Sequence, residues 1–245
     1  SPGGTGIAIY KVSEPDCSHG VTINGQTNPG YPVGPDRPNT FIAYFALPYD
    51  AAGISEATVS ATDKAGNTAV MGFAPVFQKI AQQHDRINIG DGFLNAKIPE
   101  FEQHYPEMQG TPVEKYLYIN NAIRDANNKV ISETCLKSTP ERLWKGRFLR
   151  MLGSPKAGFA DHRTYYYQDK EIDKQVHLGV DIASTERIGV QAANTGRVVY
   201  ADYLGIYGNM VILDHGQGVF SLYSHLSQIN VAVGDTLEKG KILGL

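Results

Sequence analysis

Short apolar runs separated by glycine-containing turns occupy the last quarter of this 245-residue chain. The runs are rich in β-branched and aromatic residues, which suit a pleated, half-buried surface, and the glycines supply the backbone freedom of tight turns. This spacing predicts short antiparallel strands joined by hairpins. Strands are expected at Gly189–Ala193, Gly196–Ala201, Asn209–Asp214 and Val219–His225, with turns at 194–196, 205–208 and 215–218.

The composition agrees with a β-rich protein and excludes some partners. Glycine (26 residues) and tyrosine (14) are abundant, and only 19% of residues are charged. The net charge is −3 and no block of lysine or arginine occurs, so nucleic acid is not an expected partner, because phosphate binding needs clustered positive charge. No apolar run has the length of a membrane span, and no signal peptide heads the chain. A membrane anchor outside these residues and the oligomeric state both stay open.

The first region, residues 1–73, alternates strands and turns. Strands are expected at 7–10, 40–45 and 57–62, followed by a turn at Asp63–Asn67. The phrase ATVSATDKAGNTA resembles the end of bacterial immunoglobulin-like modules, in which the last two strands flank such a turn. The resemblance implies an N-terminal β-sandwich that acts as a spacer or an adhesive unit.

The second region, residues 74–147, is predicted to be a helical connector. Thr111, Pro112 and Glu114 form a capping box with proline at the first helical position. An apolar stripe follows, and the helix is expected to end near Asn127 and Asn128. The acidic cluster Glu100, Glu102, His104 and Glu107 is interpreted as a solvated loop rather than a metal site, because prolines flank it and its spacing is uneven.

The two cysteines, Cys17 and Cys135, belong to no CxxC pair. A zinc–thiolate site is therefore not expected. The sequence leaves open whether they form a disulfide in an oxidising compartment or remain two free thiols.

His177 and Asp181 carry the first chemical signal, in the third region, residues 148–245. Gly179 and the β-branched neighbours of Asp181 favour an extended segment, in which residues four apart point to the same face. An imidazole and a carboxylate suit zinc, and could hold two corners of a tetrahedral site. The alternative is a core histidine that is hydrogen-bonded to an aspartate.

His225 is the second candidate. In the predicted strand Val219, Ser221, Tyr223 and His225 share one face. A histidine beside a metal site can accept or donate a proton near neutral pH. Its alternative is a structural imidazole bonded to a loop carbonyl. Among the other histidines, His215 is interpreted as a turn residue, and His162 as a residue that could approach the cleft.

Three phrases in the third region, FADHRTYYYQDKEIDKQVHLGVDIAS, ANTGRVVYADYLGIYGNMVILDHGQGVFSLYSHLS and VAVGDTLEKGKILG, resemble the lysostaphin-like (LytM-type) zinc metallopeptidases. The resemblance implies an antiparallel β-sheet domain with Zn²⁺ as cofactor. It implies that His177 and Asp181 are the first two zinc ligands and that His225 is a catalytic histidine. The family also carries a later His-x-His motif with the third ligand, which this sequence lacks, so the domain is expected to be truncated before its final strand.

The implied activity is hydrolysis of peptide bonds in bacterial peptidoglycan, in the periplasm or elsewhere in the cell envelope. The sequence as it stands is expected to be inactive if the third ligand is absent. Arg163 or one of the tyrosines near it, Tyr167 among them, is expected to hold substrate. A rival interpretation is a non-catalytic LytM-type module that binds cell wall or regulates another hydrolase. A lipoyl-like carrier domain is a third, because VAVGDTLEKGKILG also has a turn–strand pattern of that kind.

Overall fold

The computed structural model describes residues 1–14 and 16–245. The chain divides into two compact units, Ser1–Gln82 and Gln83–Leu245. Most regular structure is β-strand, and the helices are confined to residues 91–135, apart from one short 3-10 turn. This confirms the predicted class, mainly β with one helical region. None of the described helices is long and apolar enough to cross a membrane.

The first unit consists of two antiparallel sheets that share one core. One sheet has the order β1-β5-β4 and the other β3-β2-β6-β7. Val21 and Ile23 from one sheet pack with Ala43 and Phe45 from the other. The strands are β1 (Thr5–Lys11), β2 (Ser18–Ile23), β3 (Gln26–Pro29), β4 (Tyr31–Pro32), β5 (Thr40–Ala46), β6 (Ala57–Thr62) and β7 (Thr68–Gly72).

The three strands predicted in this unit are confirmed as β1, β5 and β6. The predicted turn is also present, because the Asp63 carboxylate accepts hydrogen bonds from the backbone of Ala65 and Asn67. Two sheets over one core agree with a sandwich, and the immunoglobulin-like assignment of residues 1–73 stays a prediction.

The second unit combines helices and short strands. The helical elements are α1 (Asp91–Glu102), α2 (Pro112–Tyr118), a π-helical turn (Ile119–Ile123), α3 (Arg124–Cys135) and a 3-10 turn (Gly205–Tyr207). The strands are β8 (His84–Asn88), β9 (Ser154–Ala157), β10 (Asp161–Tyr167), β11 (Lys170–His177), β12 (Asp181–Ala183), β13 (Val190–Gln191), β14 (Gly196–Tyr203), β15 (Asn209–Gly216), β16 (Val219–Leu226), β17 (Thr236–Leu237) and β18 (Ile242–Gly244).

The predicted capping box begins α2, with Thr111 Oγ1 accepting from the Glu114 amide and Glu114 accepting from the Thr111 amide. The expected end near Asn127 is wrong, because the helix continues to Cys135. Asn127 Oδ1 accepts from the Ile206 amide, and Asn128 Oδ1 accepts from the Tyr207 hydroxyl. These tertiary bonds occupy the amides that would otherwise compete with the helix backbone.

The loop predicted for the acidic cluster is wrong for Glu100 and Glu102, which lie on α1 with Pro99 inside it, whereas His104 and Glu107 lie in turns after this helix. Leu94 and Ile98 of this helix pack with Tyr165 of β10 in one buried cluster. The helical region therefore shares a core with strands of the third predicted region. This packing explains why the structure groups residues 83–245 in one unit, whereas the sequence suggested a connector at 74–147 and a separate domain at 148–245.

Four strands of the second unit form an antiparallel sheet in the order β16-β15-β14-β17. The strands predicted for residues 196–225 are confirmed in position and order. A separate sheet has the order β11-β10-β8, and there β8 runs parallel to β10. The domain is thus not antiparallel throughout, because β8 enters from before the helices. Cys17 and Cys135 are both free thiols.

Candidate functional site

His177 and Asp181 meet across a bend rather than along a strand. His177 ends β11 and Asp181 begins β12, with a bend at Gly179 between them. In a continuous strand, residues four apart are separated by about 13 Å. The bend instead brings His177 Nε2 to 3.2 Å from Asp181 Oδ1. It also turns Leu178 and Val180 outward, where both are exposed.

The orientation of the His177 ring is fixed from its other side. Nδ1 lies 2.8 Å from the Gly158 carbonyl oxygen, which can only accept, so Nδ1 carries the proton in this bond. The loop before β10 holds that carbonyl, because the Gly158 amide donates to Asp161 and the Ala160 amide donates to the His177 carbonyl. Nε2 is therefore the ring nitrogen that faces the Asp181 carboxylate. A backbone carbonyl on the far ring nitrogen is the usual support of a metal-binding histidine.

The spacing of these two acceptors fits a shared cation. Two ligands held at the 2.0–2.2 Å typical of zinc lie about 3.4 Å apart in a tetrahedral arrangement. The observed separation of Nε2 and Oδ1 is 3.2 Å. The pair therefore has the donor types and the spacing of two corners of a zinc site. Among the described residues, no group of three or more histidine, cysteine, aspartate or glutamate side chains could hold a metal ion.

His225 lies at a bulge near the end of β16. Tyr223 pairs with Val211, and Leu226 pairs with Asn209, so β16 has one residue more than β15 across this stretch. His225 adopts a left-handed conformation with φ of 58°. The expected alternation of β16 therefore stops before His225, and the bulge redirects its side chain, as bulges beside functional sites commonly do.

The charges of Asp181, His177 and Lys97 all act on the His225 imidazole. Burial lowers the pKa of His225, and the positive charges of Lys97 and His177 lower it further, whereas the Asp181 carboxylate raises it. His225 as a residue is exposed to solvent. The burial that lowers its pKa is the packing of neighbouring atoms around the imidazole ring. His225 is thus within electrostatic range of the His177–Asp181 pair and favours the neutral, proton-accepting form.

Arg163 belongs to the same cluster, and Tyr167 does not. Arg163 Nη2 lies 3.5 Å from Asp181 Oδ2. Tyr167 is six residues from Asp161, the β10 partner of His177, and therefore roughly 20 Å along the strand. The Tyr167 hydroxyl donates to Asp91, and this bond raises its pKa. That Tyr167 holds substrate stays a prediction.

The remaining candidate histidines lie elsewhere. His162 is on the opposite face of β10 from Arg163, and its ring lies 5.2 Å from that of His84. His215 is not an exposed turn residue, because it is fully buried in β15. Its Nδ1 contacts the Thr195 carbonyl at 2.8 Å and its Nε2 contacts Ser221 Oγ at 2.7 Å. Both ring nitrogens of His215 are therefore occupied.

Sequence reasoning missed two contributors to the site. The Gly158 carbonyl was not singled out, although glycine followed three residues later by Asp161 is a pattern typical of a side-chain-braced turn. Lys97 gave no signal, because its approach to His225 depends on how α1 packs. Both come from outside the short segment that contains the candidate ligands.

Comparisons with known proteins match the segment that contains His177, Asp181 and His225. Residues 175–245 match Peptidase family M23. Over 70 residues the chain is 34% identical to the DD-carboxypeptidase/endopeptidase Mpg of Neisseria meningitidis serogroup B, a match that covers 29% of this chain and 16% of that protein. Over 67 residues it is 37% identical to the murein hydrolase activator EnvC of Escherichia coli strain K12, which covers 27% of this chain and 16% of EnvC. The matched part therefore spans about a sixth of these relatives.

A solved structure from Pseudomonas aeruginosa that is described as an M23 peptidase is similar over 98% of this chain and 79% of its own. The TM-score is 0.51 and the sequence identity 16%, so this likeness concerns the fold alone. His177, Asp181 and His225 all fall inside the matched segment, whereas Arg163 and Lys97 precede it. Residues 175–245 thus carry the sequence signature of a family M23, or LytM-type, peptidase domain.

Proposed function

We propose that this chain carries metal-binding and proton-transfer residues of a zinc-dependent endopeptidase that cleaves peptide bonds of bacterial peptidoglycan in the cell envelope. One observation carries the proposal: the Nε2 of an oriented His177 ring faces the Asp181 carboxylate at the spacing of two zinc ligands. The match of residues 175–245 to a peptidase family and the names of the Neisseria and Escherichia relatives support it.

Each residue of the cluster has a separate task in this proposal. His177 and Asp181 hold the metal, and a zinc ion held there supplies Lewis acidity and lowers the pKa of water. His225 accepts a proton from the attacking water and returns one to the leaving amine, which suits an imidazole that is neutral at pH 7. The resemblance implies a third protein ligand from a His-x-His motif, which this sequence lacks. His215 does not take its place, because its own hydrogen bonds occupy both ring nitrogens.

A second candidate function is a non-catalytic module that binds cell wall or regulates another hydrolase. Two observations favour it: the described residues supply two candidate ligands and no group of three, and the Escherichia relative is named an activator. Zinc binding and catalysis separate the two candidates, because a regulator needs neither.

The test uses purified protein, isolated peptidoglycan and mass spectrometry of the released peptides. His177→Ala and Asp181→Asn are each expected to reduce the zinc-dependent cleavage rate below about 1% of the parent, because each removes a ligand. Asp169→Asn is the matched control, since this aspartate is exposed at the β10–β11 turn and pairs only with Arg86 among the described residues.

Parental cleavage by Asp181→Asn would refute the ligand assignment. A protein that binds peptidoglycan, releases no peptide with or without zinc, and is unaffected by these changes would support the regulatory module instead.

A further inference from the structure

We propose that Arg163 is a positioning residue, which holds one oxygen of Asp181 so that the other oxygen alone faces the metal. This inference rests on the proposed function, and it replaces the expectation that Arg163 contacts substrate. It is carried by the position of Arg163 on β10, by its contact with Asp181 and by the unequal exposure of the two side chains.

The strand register places Arg163 beside the candidate ligands. In the β10–β11 pair, Asp161 is opposite His177 and Arg163 is opposite Gln175. Residues two apart on a strand share a face, and diagonal neighbours across a pair are about 7–8 Å apart, within reach of a long side chain. Arg163 and His177 therefore project from the same face of this sheet toward the same volume.

The two oxygens of Asp181 are divided between two partners. Oδ1 lies 3.2 Å from His177 Nε2, and Oδ2 lies 3.5 Å from Arg163 Nη2. A carboxylate with one oxygen held by a guanidinium presents its other oxygen in a limited range of directions. This arrangement favours ligation through Oδ1 only, which leaves room for solvent in the coordination sphere.

The Arg163 side chain is more buried than the Asp181 side chain that it contacts. The Arg163 side chain is 20% exposed, whereas that of Asp181 is 48% exposed. Asp181 is the only ion-pair partner of Arg163 among the described residues. Arg163 Nε is buried and has no hydrogen-bond partner in that part of the chain. The guanidinium is therefore held by packing and pairs with no second carboxylate in the described part of the chain, so it can restrain the more exposed aspartate.

Two effects of Arg163 on a bound dication oppose each other. The guanidinium charge repels the cation, whereas the fixed carboxylate geometry reduces the ordering required on binding. Loss of a group that hydrogen-bonds to a metal ligand commonly lowers metal affinity by 10–100-fold, so the second effect is expected to exceed the first. A variant that lacks the guanidinium therefore shows which effect is larger. Lower zinc affinity indicates that positioning of the carboxylate dominates, and higher zinc affinity indicates that charge repulsion dominates.

The experiment measures zinc affinity by competition with a chromogenic chelator, without any assay of activity. Arg163→Met is expected to lower zinc affinity by about 10–100-fold relative to the parent chain, and Arg163→Lys to recover part of the loss, because lysine keeps the charge but not the planar fork. Arg86→Met is the matched control. Arg86 lies on the neighbouring strand β8, pairs with Asp169 at 3.3 Å and stacks on Tyr166, and its variant should bind zinc like the parent.

Each result has a distinct meaning. Unchanged or higher zinc affinity in Arg163→Met, with normal binding by the parent, refutes the positioning role alone. A higher KM for peptide at unchanged zinc affinity would restore the substrate-binding role. Failure of the parent to bind zinc refutes the ligand assignment, and the inference falls with it. Circular dichroism verifies folding, and if Arg163→Met does not fold, Arg163→Lys alone decides, with parental affinity counting against the proposal.

Discussion

His177 and His215 are both strand histidines of the second unit, yet their environments permit different chemistry. Each has Nδ1 at 2.8 Å from a backbone carbonyl, Gly158 for His177 and Thr195 for His215. They differ at Nε2. In His215 this atom meets Ser221 Oγ at 2.7 Å in a fully buried setting, whereas in His177 it faces an exposed carboxylate at 3.2 Å.

The comparison shows what separates a structural histidine from a candidate ligand. His215 contributes to a closed chain of hydrogen bonds that continues from Ser221 to the Tyr223 hydroxyl and the Ala193 amide. Every polar atom there has a partner, so a metal ion would have to break bonds to enter. At His177 the second nitrogen faces a partly exposed carboxylate, and both atoms are of types that coordinate zinc.

The largest expected effect is a reversal between two alanine variants. His215→Ala should lower the free energy of unfolding of the second unit by about 3 kcal/mol, because it removes the partner of the Thr195 carbonyl and one of the two partners of Ser221 Oγ, and creates a cavity. His177→Ala should cost about 1 kcal/mol, since it removes one hydrogen bond at a partly exposed position. Zinc binding should show the opposite order, with loss in His177→Ala alone.

Urea unfolding followed by tryptophan fluorescence measures the free energy of unfolding of both variants. Trp144 is the single tryptophan of the chain and packs near Phe148, whose ring contacts His215 at 4.9 Å between centroids. Equal destabilisation by the two variants would break the comparison.

Alanine substitutions at two glycines, one beside each histidine, test how tightly the two sites are packed. A Cβ on Gly196 would lie 2.8 Å from His215 Nδ1 and 2.9 Å from the Asp214 carbonyl oxygen, whereas one on Gly179 would lie 3.7 Å from His177 Nε2. Gly196→Ala is therefore expected to cost about 1–3 kcal/mol by overpacking, and Gly179→Ala within about 0.5 kcal/mol. The same unfolding assay measures both, and a well-tolerated Gly196→Ala would show that the His215 site is loosely packed.

The pH dependence of stability should also depend on His215. Burial lowers its pKa in the folded chain from the ordinary value of 6.5, so in acid the unfolded state binds more protons. This contribution is complete above about pH 6.5 and is lost as the pH falls below that value. Between pH 7 and pH 5.5 the parent should lose more stability than His215→Gln, by up to about 1.4 kcal/mol per pH unit. Parallel curves would contradict a buried, neutral His215.

The last prediction concerns Ser221. Ser221→Ala removes the partner of His215 Nε2 and of the Tyr223 hydroxyl, and should cost about 1–2 kcal/mol. Zinc affinity should stay at the parental value, because Ser221 bonds within the closed network. A change in zinc affinity would show that the two histidine sites communicate.

The sequence predicted residue types better than it predicted their geometry. The pairing of His177 with Asp181 could be proposed from imidazole and carboxylate chemistry, but the expected continuous strand would have separated them by about 13 Å. The bend at Gly179 brings the two side chains together, and the Gly158 carbonyl orients the His177 ring. His225 was proposed on a regular strand face, whereas a bulge directs it.

Errors elsewhere share one cause, which is tertiary contact that local patterns do not contain. Asn127 was interpreted as a helix end, yet its side chain bonds the Ile206 amide 79 residues away. His215 was interpreted as a turn residue because glycines follow it, yet the Leu143 amide donates to its carbonyl oxygen and Phe148 covers its ring. The strands at 196–225 were predictable because alternation and turn residues are local signals.

The most direct test of the central claim is a crystal structure of the zinc-soaked protein with anomalous data collected at the zinc edge. The account predicts an anomalous peak about 2.0–2.2 Å from both His177 Nε2 and Asp181 Oδ1. A zinc-soaked crystal with no peak at this pair, or with its peak at His84 and His162 instead, would contradict it.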